Sequence, residues 1–405
     1  MDRSGTVSTV DVAAAHRGIA AVFLLNGMAL GSWAANLPSI KARLAIDEAQ
    51  LGLALLVMGG GAVLAMVLAG PFIDRRGSRG LTLWSGLVMA MVLPLSAFVP
   101  SWSSLLVAAF LLGTSNGIMD VAMNAHGLAV ERQLARPVMS MLHGCFSLGG
   151  IVAAVLVGGS LTLGFGLQAN LVAVSLLLFV ALLQVGRSLL PASVENDGTG
   201  HGAGGGVALA LPTGPLLPVA LMALVGFLAE GSMIDWAAVY LRESLSSGEA
   251  VAAFGFGVFA GAMAIGRFLG DRIIARFGRL SVLRVSALLA ISGFATALLP
   301  QGIPTAFLGY ALVGFGVANI VPILFSAGGS MPGFGSGTGV AAVATAGYGG
   351  ALTGPALIGF LASATSLRVA LATGAVLLVV IPLFARRALR PTGFRPVKVE
   401  NPVIP

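Results

Sequence analysis

The chain has 405 residues, 57% hydrophobic and only 9% charged, where soluble domains carry about a quarter charged residues, so it belongs in a membrane. Its net charge of +7 tracks the orientation of the chain in that membrane rather than a nucleic-acid partner. The single cysteine, Cys145, excludes a disulfide framework and a Cys-based metal site.

Residues 1–17 form a polar N-terminal tail. About twenty apolar residues are needed per membrane-spanning helix, and twelve such stretches follow: 18–40, 50–73, 80–99, 103–127, 137–163, 168–190, 215–240, 250–274, 281–299, 303–327, 335–361 and 367–389. Their length and uniform apolarity exclude the alternating strands of an outer-membrane barrel. Span 1 ends in Pro38-Ser39-Ile40-Lys41-Ala42-Arg43, without the small-residue cleavage site of a signal peptide. After span 6, residues 191–214 hold Glu195, Asp197, His201 and a glycine run, which reads as a flexible linker. Residues 390–405 are a second polar tail. With the N-terminus in the cytoplasm, 17 of the 22 Lys and Arg fall on the cytoplasmic side; the positive-inside rule therefore places both termini there.

The six spans before the linker and the six after it repeat one another. Gly70-Pro71-Phe72-Ile73-Asp74-Arg75-Arg76-Gly77-Ser78-Arg79 follows span 2, and Gly266-Arg267-Phe268-Leu269-Gly270-Asp271-Arg272, closing with Arg276-Phe277-Gly278-Arg279, follows the second span of the other half. Trp33-Ala34-Ala35 matches Trp236-Ala237-Ala238, and Gly149 and Gly158 match Gly350 and Gly359. The expected fold is all-α, with twelve transmembrane helices in two pseudo-symmetric six-helix bundles, 18–190 and 215–389.

The first charged turn resembles the signature loop of the major facilitator superfamily through Gly70, Asp74, Arg75, Gly77 and Arg79, with Ser78 at a position that is usually basic. Asp120-Val121-Ala122-Met123-Asn124-Ala125, the stretch from Glu230 to Leu241, and Gly347-Tyr348 to Gly354-Pro355 are similar to the MosC-like branch, related to fucose and other sugar permeases. The resemblance implies a transporter whose solute binds near the midplane between the halves. It also implies that Asp74, Arg75, Arg79, Asp271 and Arg272 act as gating latches at one membrane face.

Ionisable groups inside spans cost ~2.5 kcal/mol or more each, which singles out Asp120, Glu230 and Asp235. Asn116, Asp120 and Asn124 stand at i, i+4 and i+8 and line one helical face, a polar stripe suited to binding solute hydroxyls or a proton. Interhelical packing is the alternative. Glu230 is read as a second cavity or proton-coupling acid. Asp235 lies about 140° round the helix from it and ~7.5 Å further along, so it is expected as an outer-gate contact. A low-dielectric setting disfavours the charged form of a carboxylate, which is the physical basis for proton coupling. His143 is expected as a helix-end contact, with His126 nearer the membrane edge. Asn26 and Trp33 on span 1, and Asn319, Tyr310 and Tyr348 in the second half, are further cavity candidates.

No metal-ligand cluster, phosphate-binding loop or nucleophile constellation occurs in the sequence, so neither an enzyme nor a cofactor is expected. The expected function is a proton-coupled secondary transporter of a small polar, sugar-like solute, monomeric in the inner membrane, with a proton-antiport exporter of drugs or amphipathic metabolites as the alternative. The motif Gly354-Pro355 with Gly359 resembles that of drug antiporters, but lies in span 11 rather than span 5, where Gly149 to Gly159 contains no proline.

Overall fold

The computed structural model describes residues 11–136, 138–191, 212–299, 302–332, 334 and 336–389. Most of the expected linker, residues 1–10 of the first tail, the whole of the second tail and the side chain of Asp74 lie outside them. No strand occurs among the described residues. The spans are Val12–Leu44, Glu48–Arg76, Ser78–Val92 with a 3-10 turn Leu93–Ala97, Trp102–Leu134, Met139–Thr162 and Leu167–Val185. The second six are Leu216–Val239 with a π turn Tyr240–Ser244, Glu249–Phe277, Arg279–Leu298, a tenth in two pieces (Ile303–Val317 and Ile320–Gly329), Ser336–Ala364, and a twelfth in two pieces (Leu367–Leu378 and Val380–Ala388).

Spans 10 and 12 were expected as continuous helices and are broken. Each break stands just ahead of a proline, Pro322 or Pro382, whose missing N–H leaves the carbonyl four residues earlier, of Ala318 or Leu378, without its helical partner. At the first break Asn319 donates from Nδ2 to the Gly266 carbonyl of span 8 at 3.1 Å, which ties the interrupted backbone to its neighbour.

We call the face holding the start of span 1 and the end of span 6 the linker end, and the opposite face the far end. The turns at both ends repeat between halves. At the linker end a single residue separates spans 2 and 3, and again spans 8 and 9: Gly77 and Gly278 both have φ 77°, a conformation that suits glycine. At the far end Ala45 and Ser246 take left-handed φ of 51° and 52°. Asp47 and Gln50 then form a reciprocal capping box at the start of span 2, and Ser101 and Ser104 do the same for span 4.

Within the first half, span 1 packs on 5 and span 2 on 4; within the second, 7 packs on 11 and 8 on 10. Glycines allow these approaches. A Cβ on Gly149 would collide with the Leu24 carbonyl, and one on its counterpart Gly350 with the Leu224 carbonyl. The halves meet through spans 5 and 8, 2 and 11, and 1 and 7, with Gly52 of span 2 against Gly359 of span 11. Around the outside, Leu68, Trp84, Leu163, Leu176, Val285 and Val376 are all exposed. Apolar surface on this scale is stable only against lipid.

Candidate functional site

Midway along span 4, Asn116, Asp120 and Asn124 share a half-buried face. Asn26 of span 1 donates to Asn116 Oδ1 at 3.0 Å. Asn124 donates from Nδ2 to Asp120, at 3.2 Å to Oδ1 and 2.8 Å to the backbone carbonyl. No basic side chain pairs with Asp120 among the described residues. Across from it, Tyr348 of span 11 lies within electrostatic reach. Tyr348 packs on Phe227 of span 7 with ring centroids 5.7 Å apart, and Phe227 on Phe325 of span 10 at 6.0 Å. Phe325 in turn lines a hollow of about 430 Å³ near the linker end, with Ser326, Gly329, Ser330 and Val340.

Glu230 sits differently. Its Oε1 accepts from Arg267 Nη2 of span 8 at 2.8 Å, the two side chains being 12% and 30% exposed. Its Oε2 is buried and meets no donor. The guanidinium lies within electrostatic reach of His143 in the other half, next to the contact between Gly144 and Phe268. His143, in the second turn of span 5, also meets Phe23 of span 1 edge-on at 5.3 Å. The sequence shows Arg267 only as part of the second charged turn. Its signal was present, since an arginine in a span is as costly as an acid, but its pairing depends on how spans 7 and 8 are rotated.

The remaining expected residues are placed elsewhere. Trp33 is buried in the apolar core. Asn319 is buried and held by Gly266, and Tyr310 donates its buried hydroxyl to the Ala237 carbonyl at 2.7 Å; both are packing contacts. Asp235, expected at an outer gate, has no ionic or hydrogen-bonded partner among the described residues. The charged contacts of the far end lie about 12 Å further along the chain's helices, where Lys41 Nζ approaches Glu243 at 2.8 Å and Glu48 at 3.4 Å, and Ser39 donates to Glu249 Oε2 at 2.9 Å.

At the linker end the two charged turns differ. Arg79 donates to the Gly186 carbonyl after span 6 at 2.8 Å. Ser78, where the family pattern has a basic residue, is buried 2.9 Å from His126 Nδ1. His126 Nε2 accepts from the Leu190 N–H at 3.1 Å, which makes it the Nδ1–H tautomer that donates to Ser78. In the second copy Asp271 and Arg272 are exposed, as is Arg75 in the first.

This architecture is that of a multi-pass membrane transporter. Residues 19–352 match the family model described as Major Facilitator Superfamily, and the chain belongs to that family; it is not an enzyme. An uncharacterized MFS-type transporter of Yersinia pestis is 38% identical over 91% of this chain and 94% of its own. The membrane protein MosC of Rhizobium meliloti is 33% identical over 86% of this chain and 84% of its own. Among solved structures, the nucleoside transporter NupG superposes with a TM-score of 0.73 at 15% identity, covering 93% of this chain and 99% of that one. The E. coli fucose:proton symporter FucP superposes with a TM-score of 0.58 at 18% identity, covering 92% and 98%.

Proposed function

We propose that this transporter carries a small polar, sugar-like solute together with a proton, by alternating exposure of the space between residues 18–190 and 215–389. The observation that carries the reading is the isolation of Asp120. Glu230 and Arg267 neutralise each other, so with His143 neutral the uncompensated carboxylate at mid-depth is Asp120, while Asp235, also without a partner among the described residues, stands nearer the far end. One proton removes the charge of Asp120. The amides of Asn26, Asn116 and Asn124 and the Tyr348 hydroxyl then offer donors and acceptors to an uncharged solute. Two structural relatives, a nucleoside transporter and a fucose:proton symporter, agree with that class of cargo. In this reading the linker end and both termini are cytoplasmic, in line with the excess of basic residues there, and Asp74, Arg75, Arg79, Asp271 and Arg272 act as gating residues at that face. The protein works as a monomer in the inner membrane.

In proteoliposomes with a solute identified by thermal-shift screening, Asp120→Asn should lose proton-driven accumulation by tenfold or more, ~1.4 kcal/mol, while retaining solute counterflow. Undiminished proton-driven accumulation would sink the assignment. One observation favours the second reading, proton-antiport export: Phe227, Phe325 and Tyr348 form an aromatic wall opposite an unpaired carboxylate, which suits a lipophilic cation. Competition of sugars against lipophilic cations for the purified protein separates the two.

A further inference from the structure

The far end holds charged groups that the Asp120 site does not use. Lys41 is on span 1, its side chain only 10% exposed, and its Nζ is shared by two acids: Glu243 of the other half at 2.8 Å and Glu48 of its own half at 3.4 Å. The bonds from Lys41 to Glu243 and from Ser39 to Glu249 are the two cross-half side-chain hydrogen bonds found among the described residues. Both are at the far end.

Separating the halves here would strip Lys41 of Glu243 and leave its ammonium to water or to another partner. Glu48 changes that outcome. It opens span 2, and the Asp47–Gln50 box fixes the short turn that joins it to span 1, so it travels with Lys41 whichever way the halves move. It also stands within hydrogen-bonding reach of Glu243, so the two acids compete for one cation. The other basic groups nearby are engaged elsewhere: Arg43 donates to the Val99 carbonyl and Arg242 to that of Ser247.

We propose that Lys41 works by partner exchange, locking the far end while held by Glu243 and releasing it by passing to Glu48. Glu243 therefore favours the closed far end and Glu48 the open one. The inference rests on the relative motion of the halves proposed above, and on neither the solute nor the proton. Its test needs only purified protein in detergent, with Cys145→Ser and a reporter cysteine at Ala253, which is fully buried in the apolar contact of spans 1, 5 and 8 near the far end.

The rate of maleimide labelling at that cysteine reads opening. Glu243→Gln should raise it about tenfold and Glu48→Gln should lower it about tenfold, each a shift of ~1.4 kcal/mol. Lys41→Glu should behave as Glu243→Gln, and the swap Lys41→Glu with Glu243→Lys should bring the rate back to its starting value or below it, because the exchanged lysine then has both acids, the new one and Glu48, across the halves. Shifts of the same sign from the two glutamines, no shift from either, or a swap that stays at the Lys41→Glu rate would overturn the proposal. A general loosening of packing cannot produce opposite signs, and the swap decides if a single variant is not recovered folded. Opposite shifts in a protein that carries no solute would count against transport and leave the lock standing.

Discussion

The middle of span 4 and the middle of span 7 each present a carboxylate to the space between the halves, in opposite settings. Glu230 is held by Arg267 through one oxygen, and Asp120 has only an amide beside it. A paired acid contributes to the integrity of the bundle and keeps its charge locally cancelled. An unpaired one destabilises the bundle slightly and leaves a charge for something mobile to cancel. The scaffold repeats while the polar chemistry placed on it does not: the paired acid is in one half and Asp120 in the other.

Neutralising each member separately breaks that contrast most sharply. Glu230→Gln should lower the stability of the detergent-solubilised protein by about 3 kcal/mol, because it leaves Arg267 uncompensated; the double variant with Arg267→Gln should recover most of the loss in thermal unfolding. Asp120→Asn should leave the melting temperature unchanged or raised while transport collapses. Equal loss of stability from Asp120→Asn and Glu230→Gln would erase the distinction. The scaffold should respond alike in both halves: Gly149→Ala and Gly350→Ala each push a methyl into a carbonyl, costing about 1–3 kcal/mol. Gly150→Ala, with open space around it, should stay within about 0.5 kcal/mol. Tyr310→Phe removes one buried hydrogen bond and should cost about 1 kcal/mol without altering solute affinity.

Hydropathy made the spans legible, and the duplicated turns were legible because Gly77 and Gly278 do the same backbone work in each copy. The breaks in spans 10 and 12 were not, since proline alone does not announce one: Pro38, Pro71 and Pro355 sit inside unbroken helices. The stripe Asn116, Asp120, Asn124 was readable because all three residues share one helix and its period. Arg267 with Glu230, His126 with Ser78, and Lys41 with Glu243 each join different helices, and helix rotation is set by the packing of many side chains at once. Asn319 shows the same limit, since a polar atom in an apolar span can as well face a neighbouring helix, here the Gly266 carbonyl, as the cavity.

The lock at the far end bears on how such a chain comes to exist. Lys41 and Glu243 stand 202 positions apart, between the offset of 203 for Trp33 and Trp236 and that of 201 for Ala45 and Ser246, so they are counterparts meeting across the pseudo-twofold axis. In a homodimer of identical six-helix subunits, a side chain beside the axis faces its own copy: lysine would oppose lysine, or glutamate glutamate, and the contact would repel. Fusion of the two copies into one gene frees the counterparts to diverge, and an attractive ion pair on the axis is an arrangement that two identical subunits cannot hold.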